Sequence, residues 1–86
     1  MSGDYELVMQ STTVERLMAC PSPLRQSLMN QFLKLAANPR MKGQRSVRDL
    51  SGREHQVLEV GTWEVTYWAD HAVRELRIVR LRKIFK

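Results

Sequence analysis

The stretch from His55 to Phe85 constrains the fold of this chain more than any other. It reads HQVLEVGTWEVTYWADHAVRELRIVRLRKIF, three strand-like runs separated by two short turns. Its β-branched and aromatic residues alternate with charged and polar ones, as in strands buried on one face only. Gly61-Thr62 fits a two-residue hairpin turn of type II′, with glycine first. Asp70-His71 serves as the second turn. With both turns two residues long, Val60 faces Trp63, Glu59 faces Glu64 and Leu58 faces Val65 across the first hairpin. Across the second, Val65 faces Leu76, Glu64 faces Arg77 and Trp63 faces Ile78. Alternation then sorts the side chains. Leu58, Val60, Trp63, Val65, Tyr67, Leu76 and Ile78 share an apolar face; His55, Val57, Glu59, Glu64, Thr66, Trp68, Glu75 and Arg77 share the other. The apolar parity changes at Val79 and Leu81, which predicts a bulge or an end of regular pairing near Arg80.

A sheet with one apolar face needs a second layer, and the upstream half supplies it. Tyr5 to Met9 reads as a first strand. Thr12 or Thr13 caps a helix whose first turn carries Glu15 and whose body holds Val14, Leu17 and Met18. It stops near Cys20, ahead of Pro21 and Pro23. Ser22 caps the next helix, with Pro23 at its first position. There Leu24, Leu28, Phe32, Leu35 and Ala36 fall on one stripe, and Asn38-Pro39 ends a helix of roughly fourteen residues. Residues 40–53, RMKGQRSVRDLSGR, read as a basic connector whose core anchors are Val47 and Leu50.

The chain's 86 residues, 43% of them hydrophobic, make one domain spanning 1–86 with a single modest core. Cys20 stands alone, so no internal disulfide forms; it is read as a buried residue in a reducing cytoplasm. No apolar run approaches the ~18 residues of a membrane span, and the start MSGDYE is not a signal peptide. A cytoplasmic protein without a membrane partner is expected.

Net charge is +5 and unevenly placed. Arg40, Lys42, Arg45, Arg48 and Arg53 crowd the connector, and Arg80, Arg82, Lys83 and Lys86 crowd the end of the chain. Two such clusters on a small domain attract polyanions. On the open face, Glu59 opposite Glu64 is repulsive by itself, and Arg77 beside Glu64 would compensate. Such a group is either a surface ion cluster of small net energy or an acid–base site, with one carboxyl pKa pushed up and the other held down. His55 is a further candidate base and Trp68 a candidate stacking surface. The two histidines stand apart and no third ligand is spaced for a metal, so no cofactor is expected. No phosphate-cradling glycine motif or Ser-His-Asp pattern occurs.

The run LAANPRMKGQRSVRDLSG, then VLEVGTWEVTYWAD, then VRELRIVRLRKIF, resembles the RelE/ParE superfamily of toxins from bacterial type II toxin–antitoxin systems. The family's middle hairpin typically reads Leu-Arg-Val-Gly-x-Tyr-Arg-Val-x-Tyr; here the run from Leu58 to Tyr67 is Leu-Glu-Val-Gly-Thr-Trp-Glu-Val-Thr-Tyr. A final basic motif is matched by Leu81-Arg82-Lys83. The resemblance covers residues 30–85 well and the N-terminal part loosely. It implies an α+β fold, two N-terminal helices on one face of a small antiparallel sheet in the order β-α-α-β-β-β. It also implies a cognate antitoxin as partner, and ribosome-dependent mRNA cleavage that inhibits translation. The alternatives are inhibition of DNA gyrase by protein contacts, as in ParE-like members, and an inactive antitoxin-binding homologue. The sequence departs from the family at Glu64, where RelE-like members carry an arginine, and at Val57 and Glu59, where they carry basic residues. The terminal tyrosine is replaced by Phe85 or Lys86. Under the cleavage reading, Glu59 or Glu64 would be the base and Arg77 or Arg82 the cation. Lys42, Arg45, Arg48, Arg53, Arg80, Lys83 and Lys86 would hold nucleic acid.

Overall fold

A computed structural model of the chain describes residues 4–84. The elements run β1 (Glu6–Met9), α1 (Ser11–Ala19), α2 (Ser22–Ala37), β2 (Arg45–Arg48), β3 (Glu54–Val60), β4 (Trp63–Asp70) and β5 (Glu75–Lys83). They form one five-stranded sheet in the order β1-β5-β4-β3-β2, with both helices on one face. The α+β class and the two-helix layer are as expected. The sheet is mixed rather than antiparallel, because β1 lies parallel to β5, Leu7 opposite Leu76 and Met9 opposite Ile78. Parallel neighbours need a crossover, and everything from α1 to β4 lies between these two.

The apolar face is as read. Val65, Tyr67, Leu76, Ile78 and Leu81 are buried against Leu17, Cys20, Leu28, Phe32, Leu35 and Ala36, with Leu58, Val60 and Trp63 partly buried at the margin. The α2 stripe does most of this covering. In α1 only Thr13, Leu17 and the flanking Cys20 turn inward, while Val14 and Met18 are exposed. The cap assignments differ by one to three residues. Gln10 and Pro21 precede the helices without side-chain caps, and Thr12, Thr13 and Ser22 lie inside them. Glu15 consequently falls outside the first turn of α1. Asn38 ends α2, its amide nitrogen donating to the Lys34 carbonyl at 2.8 Å.

Two corrections concern the second half. The connector contains a strand: β2 pairs antiparallel with β3, Arg45 opposite Val57 and Val47 opposite His55. Val47 and Leu50 are exposed and anchor nothing. What seats β2 is Gly43, where a Cβ would stand 2.3 Å from the Val57 carbonyl oxygen. Only glycine permits that approach of two backbones. The second turn is also longer than read. Residues 71–74 form the loop, so Leu76 pairs with Ala69, Arg77 with Trp68 and Ile78 with Tyr67. Asp70 opens it by accepting a hydrogen bond from the Ala72 amide at 3.2 Å, and Arg74 closes it in the left-handed region, φ 57°. No glycine marks that position, so the sequence gives no sign of it. The slip is four residues. An even slip leaves every side chain on its own face, so the faces survive although the partners change. The bulge near Arg80 is present: register shifts between Thr66 and Tyr67, opposite Val79, and Leu81 turns back to the core. The first hairpin is as expected, with Gly61 at φ 62° between Val60 and Trp63.

No described helix is long and apolar enough to cross a membrane.

Candidate functional site

Three cross-strand rows of the open face hold the acidic candidates and part of the basic and aromatic ones singled out from the sequence. The first joins Glu59, Glu64 and Arg82, since Glu64 pairs with Glu59 on one side and with Arg82 on the other. Arg45 reaches over from β2. Its Nη2 donates to Glu64 Oε2 at 2.6 Å, and Arg82 Nε donates to Glu64 Oε1 at 2.9 Å. Arg45 Nη1 also stands 3.9 Å from Glu59, which offsets the repulsion between the carboxylates. The Glu64 side chain keeps only 7% of its exposure, whereas each arginine keeps 47%. It therefore lies under two guanidinium groups at the sheet surface rather than in the apolar interior. Its pKa is held below the ordinary glutamate value, mainly by the Arg45 hydrogen bond and also by Arg82, against a smaller opposing effect of burial.

That direction is opposite to the raised carboxyl pKa of the acid–base reading. Glu64 is not a carboxyl whose pKa is pushed up toward acid–base use, and both of its oxygens are engaged. Arg77 is not beside it; the four-residue slip carries Arg77 to the Trp68 row. The structure thus brings Glu59, Glu64 and Arg82 together and excludes Arg77. The arginine that completes the group is Arg45, assigned from sequence only to phosphate holding. The second row runs Val57, Thr66, Arg80, with Arg80 exposed.

The third row lies farther along the strands. Val47 pairs with His55, and Arg77 with both Trp68 and Val8. The His55 and Trp68 rings are nearly parallel, centroids 6.4 Å apart, and the Arg53 guanidinium lies 3.9 Å above the Trp68 ring. Asp49 brings a carboxylate oxygen to 3.3 Å from His55 Nε2. This is electrostatic contact without hydrogen-bond alignment, since Nε2 is buried and has no hydrogen-bond partner. Asp49 is fixed by its own turn: its Oδ1 accepts from the Ser51 hydroxyl at 2.6 Å and from the Ser51 and Arg53 amides. Those bonds, the Ser51 hydroxyl first, lower its pKa. Arg77 bonds Glu75 through Nη2 and leaves a buried Nε without a partner. These side chains border a groove of about 390 Å³ whose far wall is Val8, Met9 and Gln10.

Of the remaining basic candidates, Lys42 is exposed on the approach to β2. Arg48 donates to the Gly52 carbonyl at 2.8 Å, and strand alternation turns it away from the open face. Lys83, opposite Trp63, is likewise on the helix side. Lys86 lies outside the described residues. Asp49 was missed as a site residue, and its signal was present: aspartate two before serine, then glycine, is a side-chain-stabilised turn. Among the described residues no three His, Cys, Asp or Glu side chains gather as metal ligands would.

No protein-family profile matches the chain, and no curated protein sequence matches it. Solved structures do. A chain of the RelBE2 toxin–antitoxin complex from Mycobacterium tuberculosis superposes with a TM-score of 0.77 at 17% identity, covering 93% of this chain and 91% of that one. The isolated RelE toxin of E. coli gives 0.77 at 13% identity, with 95% and 86% covered. A chain of the archaeal RelE–RelB complex from Pyrococcus horikoshii gives 0.73 at 16% identity, with 96% of each covered. Over nearly its whole length, this chain takes the fold of the RelE toxin structures.

Proposed function

We propose that this protein is the toxin of a type II toxin–antitoxin pair, that its open sheet face binds RNA, and that it inhibits translation by cutting mRNA on the ribosome. The observation that carries the reading is the end-to-end likeness to RelE toxin structures, several of them complexes with an antitoxin. The charge distribution supports it: Arg45, Arg80 and Arg82 stand on adjacent rows of the face that the helices leave open. Phosphates bind to such a cluster by displacing counterions. Glu64 is a positioning residue here. It sets the directions of the Arg45 and Arg82 guanidiniums, which remain about half exposed and free to meet phosphate oxygens. With a net charge of +5, an acidic antitoxin is the matching partner, and the site of action is the cytoplasm.

A second reading, inhibition of DNA gyrase through protein contacts, is favoured by one observation. Two of the arginines on the face already share a carboxylate where RelE-like members carry another arginine. Expression of the chain alone in cells, followed by labelled-precursor uptake, separates these. Early loss of protein synthesis supports mRNA cleavage. Early loss of DNA synthesis replaces it with the gyrase reading, and normal growth removes both.

A further inference from the structure

We infer that the reacting phosphate of bound RNA sits in the groove beside Trp68, with His55 as general base, Arg53 and Arg77 as its phosphate-holding cations, and Asp49 as the residue that positions His55. This rests on the RNA-cleavage reading above and moves its chemistry away from the Glu64 row.

Three observations lead here. The first is where unmet hydrogen-bonding capacity lies. Among the described residues three buried side-chain polar atoms lack a hydrogen-bond partner; Arg77 Nε belongs to a residue lining this groove, whereas His55 Nε2 stands against the Asp49 carboxylate at 3.3 Å. Buried polar atoms are almost always satisfied, so the unpartnered Arg77 donor marks this groove as a place for an anionic ligand. The second is the side-chain set. Cleavage of RNA without a metal needs a group to take the proton of the ribose 2′-hydroxyl and cations for the charge that grows on the phosphate. Imidazole is the side chain whose ordinary pKa suits the first task near neutrality. Asp49 is held by its turn and faces the ring at 3.3 Å, which fixes the orientation of the imidazole beside the groove. Arg53 is held beside the groove by the Trp68 ring at 3.9 Å, and Arg77 stands 5.8 Å from the same ring. The third is what the other row lacks. Glu64, its most deeply set carboxylate, has both oxygens bonded to arginine and a lowered pKa, which makes it a poor proton acceptor.

Trp68 is four residues along β4 from Glu64, a span of about 13 Å at strand rise. A single strand of RNA lying along β4 would thus place a phosphate in the groove and further phosphates on Arg80, Arg82 and Arg45. In the step itself the 2′-oxygen attacks phosphorus and its proton passes to the His55 nitrogen turned away from Asp49. The bond from phosphorus to the 5′-oxygen breaks, that oxygen leaves with a proton from water, and the proton held by His55 passes to the hydroxide left behind. The products are a 2′,3′-cyclic phosphate and a 5′-hydroxyl, and no oxidant or reductant takes part.

The test uses the full chain and programmed ribosomes, with products read at the cleaved end. His55→Asn should lower the single-turnover cleavage rate by about 10²–10⁴-fold, the usual contribution of a general base. The exposed His71, tested as His71→Asn, should cleave at the parent rate. Asp49→Asn should lower the rate by acting through His55, so adding it to His55→Asn should cost nothing further, whereas a merely structural change would lower the rate in both backgrounds alike. The charged groups in the groove are Asp49 from the β2–β3 loop, Arg53 ahead of β3 and Arg77 from β5, while the β1 wall is uncharged. Uridine 3′-monophosphate should change the tryptophan emission of a Trp63→Phe chain, and Arg77→Ala should weaken that response several-fold. A parent chain that cleaves while His55→Asn cleaves equally well overturns the inference and leaves the proposed function standing. A parent chain that cleaves nothing overturns the proposed function, and this chemistry with it.

Discussion

Replacing Glu64 by glutamine removes one charge and almost no volume, so it isolates what the carboxylate does between Arg45 and Arg82. A fully buried ion pair broken on one side costs about 3–5 kcal/mol, and an exposed pair about 0.2–1 kcal/mol. Glu64 is buried but its two partners keep 47% of their exposure, so water screens the remaining charges. The loss at pH 7 should be about 1–2 kcal/mol, between those limits. For a domain of this size that lowers Tm by about 5–10 °C. The pH dependence gives the sharper check. The folded-state pKa of Glu64 is depressed, so its contribution is fully present above the unfolded value, about 4.3. It is lost as pH falls through the folded value. Asp49 has the same sign of shift in both proteins and cancels in the difference. Urea unfolding of parent and Glu64→Gln chains from pH 7 to pH 3 should give a gap that is constant down to about pH 5 and then closes. A gap that persists at pH 3, or none at pH 7, would refute the account of Glu64 as the anchor of these arginines.

Other outcomes follow from particular contacts. Gly43→Ala puts a Cβ against the Val57 carbonyl, a backbone atom that cannot turn aside; it should cost about 1–3 kcal/mol and raise amide exchange in β2 and the facing half of β3. Phe32→Ala empties a fully buried site under the sheet and should cost about 3–5 kcal/mol in denaturant unfolding. Arg80→Ala removes an exposed cation from the middle row; RNA affinity should fall about equally for all sequences, with the salt dependence shallower by about 0.7 in log–log slope. Glu64→Gln should act oppositely in that assay, binding RNA more tightly at low salt.

The faces of the sheet were legible because alternation is local: each residue's side is set by its neighbours, and the four-residue slip left it intact. The partners were not, since they depend on a loop closed by Arg74 in a left-handed conformation that glycine usually marks. The same loss of register hid the pairing of Glu64 with Arg82 and misplaced Arg77. β2 was hidden for a different reason. Its four residues, Arg-Ser-Val-Arg, are all exposed and carry no buried face to alternate; Gly43 and the Gln44 side chain, which accepts from the Glu59 amide at 2.6 Å, hold it in place instead. With β2 read as connector, Arg45 could not be seen reaching Glu64. Both the helix stripe and the bulge opposite Val79 were visible, one as a 3.6-residue period and the other as a break in a period of two.

The parallel seating of β1 beside β5 also sets an order in time. Among the described residues β1 has one sheet neighbour, β5, the last strand in sequence, so it stays unpaired until β5 has emerged, and the helices have only part of their floor until then. The arginine gathering on Glu64 has the same dependence, because Arg82 belongs to that last strand. Until β5 has emerged, the open face therefore lacks the arginine that completes its Glu64 row.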